Sequence, residues 1–204
     1  MKNRKILVLI DIQNDFIDGA LKNDDAQKAI PNIVDKILHG DYTEIIATYD
    51  SHRMDDSGKW GVGYNDSLEG QLLPVPHCIE GSDGWEMNDE VMSAIRTMQN
   101  KGVKFTPILK PTFGSILSLP KTVRGDWAFT ENILLLDDAG VYSVDICGFC
   151  TDICVVSNAL ILRATLPNVP ITVDARCCAG VTPEKHKAAL EVMKSCMIDI
   201  INEK

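Results

Sequence analysis

Six short runs of apolar residues recur along the chain with helical patterns between them, and this alternation limits the fold more than any other feature. The runs lie at 5–11, 44–49, 105–109, 142–147, 169–174 and 198–202. Several are nearly continuous in apolar residues, such as "ILVLI" and "EIIATY". A strand with one wet face alternates apolar and polar positions. A strand without that alternation is covered on both faces, as in the centre of a parallel sheet. Helical patterns fall at 26–39, 87–101, 131–139, 152–164 and 183–196. Gly40, Gly102 and Gly140 each follow a helical stretch, where a glycine ends a helix in the left-handed region. Thr182–Pro183 reads as a helix cap followed by a first-turn proline. Strands alternating with helices predict a three-layer α/β fold, Rossmann-like, with a doubly wound, mainly parallel, six-stranded sheet.

At 204 residues, with 45% hydrophobic and 24% charged, the chain has the composition of a folded domain. It carries no internal repeat and no linker-like stretch, so residues 1–204 read as one domain. The net charge of -9 argues against nucleic acid and anionic membranes as partners. The longest apolar run is far too short to span a bilayer. The basic start, Met1 to Lys5, runs directly into "LIDIQNDF", which does not fit a signal peptide. Seven cysteines, an odd number, then read as thiols of a cytoplasmic protein.

A doubly wound sheet places its site beyond the carboxyl ends of its strands. The residues ending the strands are Asp11, Asp50, Lys110, Gly148 to Cys154, and Asp174. Cys154 falls in the first turn of the helix after the fourth strand, where free amides favour a thiolate. Asp152 would oppose that charge, so a base or cation must come from elsewhere. Lys110 ends the third strand and is followed by Pro111. Asp11 ends the first strand and can exchange protons with a thiol or leaving group. Thus an Asp–Lys–Cys set is available from three strand ends. The connection at 51–86 is long for a compact domain and reads as functional. Asp50-x-His52 enters it and His77 lies near its end, a ligand set suited to zinc, iron or manganese. Asp55, Asp56, Asp66 and Glu69 are further ligand candidates.

The blocks "LVLIDIQNDF", "TYDSH", "LPVPHCIEGSDGWE", "LKPTFGS" and "GFCTDICVVSNAL" resemble, in order, those of the isochorismatase-like cysteine hydrolases. The resemblance runs from residue 6 to about 179 and is nearest to the nicotinamidase branch. It implies Asp11, Lys110 and Cys154 as the catalytic set. It implies Asp50, His52 and His77 as metal ligands, with Glu69 close to the place of a fourth. It also implies a cis peptide at Phe149–Cys150, with the Cys150 and Cys154 amides forming an oxyanion hole. Phe16, Phe149 and Trp60 are the expected substrate-pocket residues. One position departs: nicotinamidases usually carry an aromatic three residues before the last metal histidine, where this chain has Pro74. Trp60 or Trp85 would have to compensate. The activity implied is hydrolysis of nicotinamide to nicotinate and ammonia through a thioester, assisted by a divalent metal, zinc first. The family often forms homo-oligomers.

Other readings compete. The chain could hydrolyse another small amide or carbamoyl compound, or serve as a non-catalytic binding module on the same fold. Cys147-x-x-Cys150 is a redox pair on spacing alone, but nothing thioredoxin-like surrounds it. Cys177–Cys178 lacks the partner pair of a zinc ribbon. His39 and His186 lie on helical patterns and read as surface residues.

Overall fold

The computed structural model describes residues 4–53, 68–114 and 140–203. The helix predicted at 131–139 lies outside them. The strands are β1 (Arg4–Ile10), β2 (Glu44–Asp50), β3 (Lys104–Lys110), β4 (Val141–Phe149), β5 (Ile171–Ala179) and β6 (Asp199–Ile201). The helices are α1 (Asn14–Ile17), α2 (Asp24–His39), α3 (Leu68–Leu72), α4 (Asp89–Asn100), α5 (Val156–Thr165) and α6 (Pro183–Ser195). All strand pairs are parallel, in the order β3-β2-β1-β4-β5-β6. This is the predicted doubly wound sheet, flanked by helices, with α2 packed on α4 and α5 on α6. The strand order reverses between β1 and β4, and such a switch point opens a crevice at the carboxyl rim.

The apolar runs become the centre of the sheet. Every residue of β2 is buried, and so are the last five of β1. Burial of each such Ile or Leu contributes about 1.5–3 kcal/mol, which anchors the two strands that end at the crevice. Helix α2 turns Ala26, Ala29, Ile30, Ile33 and Ile37 toward this core, a three-to-four-residue spacing that defines one helix face. The Asn23 side chain caps it by accepting the Asp25 and Ala26 N–H groups. Thr182 caps α6 as its sequence predicts. Among the described residues no helix is long and apolar enough to cross a membrane. All seven cysteines are free.

Three details differ from the sequence reading. Gly102 and Gly140 have positive φ, but Gly40 does not; it is needed because a Cβ there would strike the Tyr42 ring. Strand β5 does not end at Asp174 but continues to Ala179. Its pairing passes from Ile146↔Val173 to Gly148↔Cys178, so Cys147 alone faces the interval that β5 fills from Asp174 to Cys177. This bulge keeps Asp174 away from the rim. Finally, the helix predicted at 152–164 is split: a π-helical turn at Thr151–Val155 precedes α5. Single π turns are frequent at functional sites.

Candidate active site

Strand register sets the site level. Asp50 pairs with Lys110 across β2 and β3, and Ile10 pairs with Thr48 on one side and Gly148 on the other. Gly148 has φ +135, and a Cβ there would collide with the Ile10 carbonyl. Only glycine lets β4 lie this close to β1. The close approach brings the turn after β4 to Asp11, which leaves β1 with φ 50, a left-handed conformation that Asp tolerates better than most residues.

The structure brings Asp11, Lys110 and Cys154 together. Lys110 Nζ lies 2.6 Å from Asp11 Oδ2 and donates to Cys154 Sγ at 3.6 Å. The Cys154 thiol is also within hydrogen-bonding reach of the Asp11 carboxylate. All three side chains are buried, and Lys110 is only 1% exposed. Burial is the largest influence on each. It pushes the Asp11 carboxyl up, against the pull of the Lys110 ammonium. It also pushes the Cys154 thiol up; Lys110 opposes this, while Asp11 and Asp50 add to it. Burial alone would lower Lys110, but Asp11, Cys154 and Asp50 together hold it well above the ordinary range and keep it charged. The resting cysteine is therefore a thiol, not the thiolate that a helix N-terminus would favour, and a proton acceptor must act on it. Asp11, with its basicity raised, is placed to do so.

Asp50, His52, Glu69 and His77 form a second cluster, their ligating atoms all within 4.8 Å of one another. Asp50 Oδ2 lies 3.3 Å from His52 Nε2 and 3.4 Å from His77 Nε2, and Glu69 Oε1 is 3.8 Å from His52 Nε2. His77 Nδ1–H donates to the Val75 carbonyl at 2.7 Å, which leaves Nε2 as the ligating atom. Burial would raise the Asp50 carboxyl, but Lys110, His52 and His77 hold it well below the usual carboxylate range. Glu69 is pushed up by burial and by the Asp50 charge. Glu69 Oε1 is buried without a hydrogen-bond donor among the described residues. The same holds for Asp50 Oδ1. Two carboxylates, each with such an oxygen, and two imidazoles make a donor set that fits a divalent cation. Lys110 Nζ is 3.7 Å from Asp50 Oδ1, so this lysine touches both clusters.

Several supporting residues were not singled out from the sequence. Gln13 is fully buried; its amide donates to the Asp50 carbonyl (2.9 Å) and the Trp85 carbonyl (2.9 Å) and accepts the Asp50 N–H (2.8 Å). The Asp15 carboxylate accepts the Cys78 N–H at 2.7 Å, beside His77. Thr48 donates to Asp11 Oδ1 at 2.6 Å. Asn158 donates to the Phe113 carbonyl (3.0 Å) and the Cys154 carbonyl (2.7 Å), tying the segment after Lys110 to the cysteine turn. His186, read as a surface residue, is half-buried and shares a 2.8 Å hydrogen bond with Thr151. The signal for Gln13 and Asp15 was present, since both stand in the "DIQNDF" block. The contacts of Thr48, Asn158 and His186 depend on chain segments that meet only in the fold.

The turn carrying Cys154 follows a cis peptide at Phe149–Cys150. The Cys150 carbonyl accepts from Ile153 (3.0 Å) and Val155 (3.1 Å). The Cys150 thiol is pushed up to about 12, first by burial and then by Asp152 and Asp11. Cys147 hydrogen-bonds with Cys177, not with Cys150. Of the expected pocket residues, Phe16 lines an open cavity of about 720 Å³ together with Leu73, Cys150, Ile153 and Val181. Its ring also lies edge-on to His77, with 6.0 Å between centroids. Phe149 has no exposed surface; it ends the central strand β4 and packs in the core. Trp60 lies outside the described residues, as do Asp55, Asp56 and Asp66. Trp85 packs on Tyr49 at 5.4 Å and donates to Ser51 Oγ at 2.8 Å.

Fold and relatives together define the chain as a hydrolase. It belongs to the isochorismatase domain family, whose model matches residues 5–204. A nicotinamidase/pyrazinamidase from Mycobacterium tuberculosis is 28% identical over 97% of this chain and 98% of its own. The crystal structure of a nicotinamidase/pyrazinamidase from Bacillus subtilis matches with a TM-score of 0.72 and 26% identity, covering 98% of this chain and 100% of that one. The fold is also that of a pyrazinamidase from Pyrococcus horikoshii solved in complex with zinc, at a TM-score of 0.63 and 21% identity over 98% of this chain and 99% of that one.

Proposed function

We propose that the chain is a metal-assisted cysteine amidohydrolase that converts nicotinamide to nicotinate and ammonia through a thioester. One observation carries this reading. A single ammonium, Lys110 Nζ, lies 2.6 Å from Asp11, 3.6 Å from Cys154 and 3.7 Å from Asp50, so base, nucleophile and ligand cluster meet at one charge. The nicotinamidase/pyrazinamidase relatives, alike over nearly the whole chain, support the same substrate class.

Asp11 takes the Cys154 proton, and Lys110 stabilises the thiolate as it forms. The sulfur adds to the amide carbon, and the backbone amides of Cys150 and Cys154 hold the oxyanion, a contribution of roughly 3–4 kcal/mol per donor in other enzymes. Asp11 then gives its proton to the departing nitrogen, the C–N bond breaks, and ammonia leaves. Water adds to the thioester, Asp11 receives its proton, and Cys154 is released as the acid forms. Asp50, His52, Glu69 and His77 would hold a divalent metal, with zinc ahead of iron or manganese; it would supply a Lewis acid for the pyridine nitrogen. Phe16 walls the ring side. The free thiols fit a cytoplasmic setting, and the family match over 5–204 supports one domain.

A second reading, hydrolysis of another small amide or carbamoyl compound, has one observation in its favour. Pro74 replaces the usual aromatic, and Trp85 is already engaged by Tyr49 and Ser51. The deciding experiment is ammonia release from nicotinamide by the metal-loaded protein, against Cys154→Ala. Release by the first and none by the second is expected. A folded, metal-loaded protein that releases none would overturn the nicotinamide assignment and leave the second reading.

A further inference from the structure

The turn that carries the nucleophile is held from outside the active site by the start of α6. Asp152 Oδ1 accepts the Val181 N–H at 2.8 Å. Gly180 lies between, and a Cβ there would stand 2.8 Å from His186 Cβ and 2.9 Å from Asp152 Oδ1. Only a glycine lets the segment fit against the turn so closely. Asn23, the cap of α2, donates to the Gly180 carbonyl at 2.8 Å, so the segment is fixed from its other side as well. Within this clamp His186 Nδ1 and Thr151 Oγ1 are 2.8 Å apart. Thr151 is fully buried and opens the π turn, three residues before Cys154 and one after Cys150. No other hydrogen bond of the Thr151 hydroxyl exists among the described residues, so His186 is what orients it.

We infer that His186 is a positioning residue: through Thr151 it sets the place of the π turn, and thereby the aim of the Cys154 sulfur and of the Cys150 and Cys154 amides. This rests on the reading of Cys154 as the nucleophile. It goes beyond that reading by assigning a role in the reaction to a helix that contributes no atom to the site. A shift of the turn by a fraction of an ångström would misalign sulfur and oxyanion donors together. It would leave the ligand cluster and Phe16 in place, because they belong to other segments, although Cys150 and Ile153 of the turn also line the cavity beside Phe16. The larger effect therefore falls on turnover, where sulfur and oxyanion donors must be aligned, and misplacement of this kind costs up to about a hundredfold.

The test compares His186→Ala with His186→Asn, whose amide can both donate and accept near the Nδ1 position. It reads kcat and KM for nicotinamide, the rate of Cys154 alkylation by iodoacetamide in the metal-loaded protein, and Tm. His186→Ala is expected to lower kcat by about tenfold or more with KM within twofold. It should also change the alkylation rate, and His186→Asn should restore most of both. Thr151→Val should reproduce the Ala variant, and the double variant should be no worse than either single one. A fall in Tm alone, with kcat and alkylation unchanged, would overturn the proposal and leave His186 a packing residue. Equal loss in the Ala and Asn variants would overturn it too. Alkylation needs no substrate. If nicotinamide proves to be the wrong amide, that readout still decides the role of His186.

Discussion

Two lysines in this protein, Lys110 buried and Lys36 half-buried, each lie between two aspartates, yet their surroundings differ. Lys110 ends β3 with Asp11 at 2.6 Å and Asp50 at 3.7 Å. Lys36, on α2, has Asp145 at 3.2 Å and Asp174 at 3.5 Å. Around Lys36 the carboxylates are met by further donors: the Tyr42 hydroxyl donates to Asp145 at 2.6 Å, and Asn202 donates to Asp174 at 2.9 Å. The Arg176 guanidinium adds a weaker contact to Asp174 at 3.4 Å. Around Lys110 the next neighbours are a thiol and a cluster of metal-ligating type. Similar ionic parts thus serve two ends. Where donors saturate the carboxylates, the charges hold the fold together. Where they face reactive groups, the same charges set proton affinities, which is why perturbed groups mark functional sites.

The largest expected effect breaks the Lys110 side. Asp11→Asn keeps shape and one hydrogen-bond acceptor but removes the base. Because burial holds Cys154 as a thiol, the loss should be roughly a thousandfold in kcat, within the usual range for a general base. Tm should change little, since Lys110 retains Asp50. Steady-state ammonia release and thermal melting check both. A variant that keeps a tenth of the activity would mean that the thiol finds another proton acceptor.

The matching change on the other side, Lys36→Met, should reverse the pattern. Removing the shared partner of a half-buried ion cluster leaves the carboxylates less compensated, at a cost of about 2 kcal/mol, below that of a fully buried pair, or roughly a 6 °C fall in Tm for a chain of this size. Its kcat at 25 °C should stay within twofold. The cluster also carries a pH signature. Burial pushes the Asp174 carboxyl up, but Asn202, Arg176 and Lys36 outweigh it and hold it below the ordinary aspartate value. A carboxyl lowered by folding stabilises the fold above its unfolded pKa and loses that contribution as pH falls through the folded one. Stability should therefore decline below about pH 4, the ordinary titration range of an unfolded aspartate. The decline should be shallower in Asp174→Asn, as followed by circular dichroism. An equal slope in both proteins would remove Asp174 from the account.

The two lysines were not equally legible. Lys110 was readable because it ends an apolar run and is followed by Pro111, and strand ends of a doubly wound sheet converge at its rim. Asp11, Asp50 and Cys154 were readable for the same reason. The parallel sheet and its helix layers followed from unbroken apolar runs, since strands covered on both faces need a helix layer on each side; the strand order came only with the structure. Lys36 was invisible as an ion-pair residue: on a helical pattern it looks like any solvated lysine, and its partners lie on β4 and β5. Asp174 was misplaced because a bulge leaves no periodic trace in a nine-residue strand. The π turn was read as ordinary helix since both share the same apolar spacing over five residues. His186 escaped because its partner Thr151 is 35 positions away.

The smallest expected effects are also the most direct comparison, because each lysine cluster contains one short hydroxyl donor to a carboxylate. Tyr42→Phe removes the 2.6 Å bond to Asp145, and Thr48→Val removes the 2.6 Å bond to Asp11. Each deletion should cost about 1.5–2 kcal/mol of stability, the lower end for a bond to a charged group. Their consequences for the reaction should separate. Asp145 takes no part in the proposed chemistry, so Tyr42→Phe should leave the pH profile of kcat/KM where it is. Thr48 favours the ionised form of Asp11, against burial. Without it the Asp11 carboxyl rises further, and the acidic limb of the kcat/KM profile should move to higher pH. Profiles of the two variants, measured in one buffer series with ammonia release as the readout, give the answer. A limb that moves equally in both would mean that the two lysine clusters act as one electrostatic unit through β1 and β4. A limb that moves only in Thr48→Val would place the proton taken from Cys154 on Asp11.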